Sequence, residues 1–164
     1  GLYLGGQRPS QLVRVTAQEV DTERGTITLR DGKGRRQHAR LHVLPLEPVA
    51  KIVAELLEVN SHAPSIFSSD GRTVPHVTTL SKVVLEISGR AYQLKDVRRT
   101  CETELARLGV AKEIRAQILS HELGGVQARH YDRHTYFDEK LQALRMWRQY
   151  LDGLMAGNVV ALRA

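Results

Sequence analysis

The hydrophobic spacing of this chain changes period once, and that change fixes the class of fold open to it. Residues 27–30 and 40–44 alternate apolar and polar side chains on either side of Gly32-Lys33-Gly34, the pattern of a β-hairpin with unlike faces. From Pro48 onward the apolar residues recur at helical spacing instead. Pro48 suits a helix start, and Val49, Ile52, Val53, Leu56 and Leu57 form a first inward stripe. Residues 60–75, rich in Ser, Pro, Asp and Gly, read as connection, and a helix over 76–87 follows. Leu94, Val97, Cys101, Leu105 and Leu108 predict a helix over 94–108, closed by Gly109. Ile114, Ile118 and Leu119 predict another over 111–119, and Leu141, Leu144, Trp147, Leu151 and Leu154 a long one over 136–155. Near the start, Ser10 can cap a helix running to about Gln18, with Leu12 and Val15 on one side. The expected class is therefore mainly α with a small antiparallel β-sheet, an α+β domain.

Composition narrows the function less than the pattern narrows the fold. At 164 residues the chain fits one domain with a proper core. Its formal net charge of +6 suits a polyanionic partner such as DNA, though an ordinary basic protein has the same balance. Cys101 is the single cysteine, which excludes an internal disulfide framework and a cysteine-rich zinc site. Its place in a helical stripe makes it a core residue, and its isolation favours a cytosolic compartment. No apolar run approaches the roughly 20 residues of a membrane span, and the start shows no secretory pattern. These features give the expectation of a cytoplasmic protein.

The chemistry-bearing residues each have a bland reading. Arg8 beside Pro9 is, by local physics, a surface arginine, and Lys33 simply solvates a hairpin tip next to Arg35 and Arg36. Lys95 and Arg98 are three apart, so one helix presents both on the same side, which is usually a solvated face. Arg99 lies about 100° further round. His121 follows a helix end. His130 and His134 could share a helical face and bind a metal, but no third ligand is placed with them. Tyr131 competes with Tyr3, Tyr92, Tyr136 and Tyr150. Together, two arginines, two lysines, a histidine and a late tyrosine are what an enzyme needs to attack a phosphodiester with a phenolic oxygen. The tyrosine needs a site that favours its deprotonated form, and the pentavalent phosphate needs fixed donors.

Their order and local settings resemble the tyrosine recombinases of the phage-integrase type over nearly the whole chain. Gly6-Gln7-Arg8-Pro9-Ser10-Gln11-Leu12 is similar to the segment carrying the family's first catalytic arginine. Asp31-Gly32-Lys33-Gly34-Arg35 resembles its lysine-bearing hairpin turn, followed by His42-Val43-Leu44-Pro45-Leu46, similar to its strand exit. Leu94 to Thr100 resembles the histidine-x-x-arginine box, and the last two boxes are Leu119-Ser120-His121-Glu122-Leu123-Gly124-Gly125 and His130-Tyr131-Asp132-Arg133-His134. The stretch from Arg98 through Leu151 most resembles integrases of prophages and genomic islands. Three positions depart from the pattern: Lys95 stands for histidine, Gln11 for a glutamate that is a structural partner, and Ser120 for glycine.

The resemblance implies the catalytic-domain fold of the DNA breaking-rejoining enzymes and a site-specific recombinase working through a 3′-phosphotyrosine intermediate. It implies Tyr131 as nucleophile, with Arg8, Arg98 and His121 on the non-bridging oxygens. Lys95 takes the acid–base position, and Lys33 is the donor to the departing 5′-oxygen. Arg35, Arg36, Arg99, Arg129 and Arg133 become DNA contacts. No metal or other cofactor is implied. The partners are double-stranded attachment sites, other protomers in a tetrameric synapse, and accessory bending or directionality factors. Residues 1–164 are expected to be a catalytic domain cut within its first helix, separated from core-binding and arm-binding domains. The tail over 158–164 either docks on a neighbouring protomer or frays. A DNA-binding homologue with impaired turnover and a type IB topoisomerase are the other readings.

Overall fold

The computed structural model describes residues 1–32, 39–121 and 135–157. These form a mainly helical domain around one three-stranded antiparallel sheet. Helix α1 spans Pro9–Leu12, strands β1, β2 and β3 span Val20–Asp21, Thr26–Asp31 and Arg40–Pro45, and α2 spans Ala50–Asn60. Helices α3, α4, α5 and α6 span Val77–Ile87, Leu94–Arg107, Lys112–Ile118 and Phe137–Met155. The strand order is β1-β2-β3, with Ile27 opposite Leu44 and Asp31 opposite Arg40.

The hairpin and the later helices follow the expected pattern, and the differences have local causes. The two-residue β1 has too short a pattern to show in the sequence; it pairs Val20 with Ile27. The first helix is one turn rather than nine residues. Arg8, not Ser10, is its N-cap, because Pro9 occupies the first helical position. It stops before Val13, Val15 and Thr16, whose β-branched side chains disfavour helix. Thr16 and Glu19 then close a separate capping box. In α2 the inward residues are Val53 with Leu56 and Leu57, while Ile52 is exposed. In α6, Leu154 is exposed and Lys140 takes a buried place instead. The 60–75 stretch is connection, but an anchored one: Asn60 Nδ2 donates to the carbonyls of Ile66 and Ser68, each at 3.0 Å.

Two apolar clusters divide the interior. Leu4, Leu12, Val15, Ile27, Leu29, Leu44 and their neighbours pack around the sheet. Cys101, Leu105, Ile118, Leu144, Trp147 and Leu151 pack among α4, α5 and α6. Tyr3 touches both. The segment from Leu2 to Gly6 is therefore the seam between them, and its glycines make that possible. Gly6 has φ +83°, and a Cβ there would meet Arg98 Cα and Cys101 Cβ at 3.0 Å. Only a glycine lets this backbone lie against α4.

Trp147 locks the seam from the helical side. It is 1 % exposed, and its Nε1 donates to the Leu2 carbonyl at 2.8 Å. Trp147→Ala should cost about 3–5 kcal/mol, the range for truncating a large buried aromatic. Urea unfolding monitored by circular dichroism would measure it. Trp147→Phe should lose less, about 1–2 kcal/mol, from the lost indole hydrogen bond and the smaller ring, since the Leu2 carbonyl still accepts the Gly5 amide at 2.9 Å.

Candidate active site

The seam delivers side chains from three distant parts of the chain to one place. Gly6, pressed onto α4, presents its carbonyl to Arg98 Nη1 at 3.0 Å. The same guanidinium donates through Nη2 to the Leu119 carbonyl and to His121 Nε2, the latter at 3.0 Å. An arginine can only donate, so Nε2 of His121 is the acceptor, and in the neutral ring Nδ1 carries the proton. Arg98 and His121 are thus in direct contact.

The end of α5 explains how His121 gets there. A helix leaves its last carbonyls without internal partners. Here the Ile118 carbonyl accepts from Gln7 Nε2 at 2.8 Å and from His42 Nε2 at 2.9 Å. The Leu119 carbonyl accepts from Arg98. Cationic and polar side chains therefore satisfy the carbonyl end of α5. Ser120 then turns the backbone into the left-handed region at φ +53°, a conformation glycine adopts freely and L side chains rarely do. The glycine of the family pattern fits that geometry. Serine here adds a hydroxyl that donates to Asp31 Oδ2 at 2.8 Å and accepts from Arg40 Nη2.

Arg8 reaches the site from the sheet side. Its Nη1 lies 3.2 and 3.1 Å from the two oxygens of Asp31, the last residue of β2. Arg40 Nη2 lies 4.0 Å from the same carboxylate. Arg98 is held below the usual arginine range, first by burial and then by the charge of Arg8. It stays protonated nonetheless. Two cations close enough to oppose each other, beside one histidine, form a place that an anion would relieve.

Lys95 is exposed on α4, one turn before Arg98. Arg99 is exposed and pairs with Asp96 at 3.7 Å. Asp96 also caps α4 through the Gln93 amide at 2.9 Å. Cys101 is fully buried, and burial pushes its thiol up to about 12, so it is a packing residue with no nucleophilic role. Lys33, Arg35, Arg36, Arg129, Tyr131, Arg133, His130 and His134 lie outside the described residues. Among the described residues no group of three or more His, Cys, Asp or Glu side chains could hold a metal ion.

Asp31, Ser120, Gln7, His42 and Arg40 carry the site without having been assigned to it from the sequence. His42 is buried on β3 while Leu41 and Val43 are exposed, the reverse of what the apolar–polar alternation over 40–44 suggests. Desolvation lowers the pKa of His42 from 6.5 to about 4. The unfolded chain therefore binds a proton that the folded chain refuses. The stability that follows is full above about pH 6.5 and is lost as pH falls toward 4. At about 1.4 kcal/mol per unit the loss is on the order of 3 kcal/mol. Urea unfolding at pH 7 and pH 5 should show it, and His42→Gln should flatten that difference. An equal pH slope in the variant would assign the effect to other groups.

The profile of the phage integrase family matches residues 2–149. No curated protein matches the chain. Among solved structures, the crystal structure of XerA recombinase superposes with a TM-score of 0.57 at 21 % identity, covering 81 % of this chain and 55 % of that one. The XerH site-specific recombinase bound to its difH substrate, a pre-cleavage complex, gives a TM-score of 0.54 at 15 % identity, covering 97 % of this chain and 44 % of that one. The chain spans about half the length of either structure. These two likenesses are of fold. With its profile matched from residue 2 to residue 149, the chain belongs to the phage integrase family.

Proposed function

We propose that this domain cuts and rejoins DNA strands in site-specific recombination, through a 3′-phosphotyrosine intermediate formed on Tyr131. The observation that supports this reading most is the contact of Arg98 with His121 at 3.0 Å beside the charge of Arg8. Arg98 touches His121, and the charge of Arg8 acts on Arg98, although the three are far apart in sequence. Arg8 and Arg98 would bind the non-bridging oxygens with permanently charged planar forks. His121 would donate to the same oxygens through its protonated ring nitrogen. Lys95, exposed one turn before Arg98, would serve as the acid–base group at the site's rim. The phenolic oxygen of Tyr131 would attack phosphorus and displace the 5′-oxygen, which Lys33 would protonate. The phosphotyrosine keeps the bond energy, so a 5′-hydroxyl can later reverse the step without ATP.

The partners in this reading are duplex attachment sites and further protomers assembled on them, with accessory bending or directionality factors. Arg35, Arg36, Arg99, Arg129 and Arg133 would contact phosphates, and binding should weaken steeply with salt through counterion release. We also read residues 1–164 as the catalytic half of a longer clamp around DNA. Among the described residues no helix is long and apolar enough to cross a membrane.

The test uses a pool of duplexes randomised in sequence, each nicked on one strand so that the short fragment bearing the freed 5′-hydroxyl escapes after cleavage. Incubation with the chain should leave a denaturation-resistant protein–DNA adduct enriched in a subset of sequences. Binding with no adduct would leave the chain a DNA-binding module. Relaxation of supercoils without sequence selection would favour a topoisomerase. For Lys33, Lys33→Ala should slow cleavage of ordinary DNA about 10²- to 10⁴-fold, the usual worth of a positioned acid. A 5′-phosphorothiolate bridge, which supplies a better leaving group, should recover most of that rate.

A further inference from the structure

We infer that Asp31 is a positioning residue for strand cleavage, the acid that registers Arg8 with the turn carrying His121; this rests on the recombinase reading above. Its carboxylate is the last side chain of β2, and only 3 % of the residue is exposed. Charged groups are buried to this degree only when they are paired and hydrogen-bonded. Among the described residues three partners converge on Asp31. Arg8 Nη1 spans both oxygens, Ser120 Oγ donates to Oδ2 at 2.8 Å, and Arg40 Nη2 stands 4.0 Å away.

The partners matter because of where they sit. Arg8 is the N-cap of α1, on the sheet side of the seam. Ser120 is the left-handed turn that delivers His121 to Arg98, on the helical side. One carboxylate thus ties together both walls of the anion site. It also offsets the opposing charges of Arg8 and Arg98, since Asp31 favours the charged form of Arg98 while Arg8 disfavours it. Only Nη1 of Arg8 faces the carboxylate, which leaves the rest of the fork to turn toward a phosphate. The position that in the family resemblance supplies an acid beside this arginine is Gln11 here. Its side chain is buried, and its Oε1 has no hydrogen-bond partner among the described residues. The acid that holds Arg8 in this chain is on the hairpin, two residues before Lys33.

The test compares the intact chain with Asp31→Asn, which keeps the shape and removes the charge. Single-turnover cleavage of a nicked duplex taken from the adduct-forming pool should fall about 10- to 100-fold, the scale for a misplaced binding group, with DNA affinity changed much less. In an Arg8→Ala background the same substitution should change the rate by less than about threefold, because the group it positions is gone. Equal losses in both backgrounds would overturn the proposal and make Asp31 a general fold residue. A second readout needs no DNA. In ¹⁵N-labelled protein the Arg8 guanidinium, assigned by its loss in Arg8→Lys, should show slow Nη rotation that becomes fast in Asp31→Asn. Unchanged rotation would overturn the proposal by itself. If no duplex forms an adduct with the unsubstituted chain, the recombinase reading fails, and the guanidinium measurement still decides whether Asp31 holds Arg8.

Discussion

Tyr131→Phe should abolish the covalent DNA adduct and lower strand cleavage by at least about 10⁴-fold, the scale for deleting a nucleophile outright. Only one hydroxyl is lost, so DNA affinity should stay within about threefold. Tyr136 is the rival, five residues on, and Tyr136→Phe should keep the adduct. Tyr136 is the N-cap of α6 in the left-handed region at φ +51°, and its carbonyl accepts the Lys140 amide at 3.0 Å. That is the setting of a residue that begins a helix. An adduct that survives Tyr131→Phe and disappears in Tyr136→Phe would reverse the assignment.

The second large effect is expected at Arg98. Arg98→Lys keeps the charge and loses the fork that reaches the Gly6 carbonyl, the Leu119 carbonyl and His121 at once. A single ammonium cannot satisfy that geometry. Cleavage should drop about 10²- to 10³-fold, as when one preorganised donor is removed from a transition state. Stability should fall by about 1–3 kcal/mol from the Gly6 and Leu119 carbonyls left unpaired. Urea unfolding and single-turnover cleavage on the same sample separate the two losses. A rate within about threefold of the unsubstituted chain would exclude Arg98 from phosphate binding.

The sequence made parts of this arrangement legible and hid others for identifiable reasons. Helix α4 was readable because its signals are local. Gln93 and Asp96 form a capping box at its start, Cys101 and Leu105 face the core, and Gly109 follows its end. Arg98 and His121 were singled out as candidates because each sits in a recognisable box. Asp31 was not. Beside Gly32-Lys33-Gly34 it looks like a solvated turn residue, yet it is buried against Arg8 and Ser120, which come to it from 23 and 89 residues away. Lys140 was hidden in the same way. It is buried on α6 because its Nζ donates to the Val43 carbonyl of β3 at 2.7 Å, a bond that helical periodicity cannot foresee. Ser120 looked like a departure from the family's glycine. Its left-handed backbone is the constraint glycine would meet, and its hydroxyl is what this chain adds. Periodicity reports which face is inward, whereas polar partners across the seam depend on tertiary contact.

Peptide mapping of the trapped adduct would show which tyrosine the DNA is joined to. Trypsin cuts after Arg129 and Arg133, so Tyr131 falls in the peptide 130–133 and Tyr136 in the peptide 134–140. After nuclease digestion of the DNA, mass spectrometry should find the residual 3′-phosphonucleotide on peptide 130–133. Finding it on peptide 134–140, or finding DNA joined through a 5′-phosphate, would contradict the account.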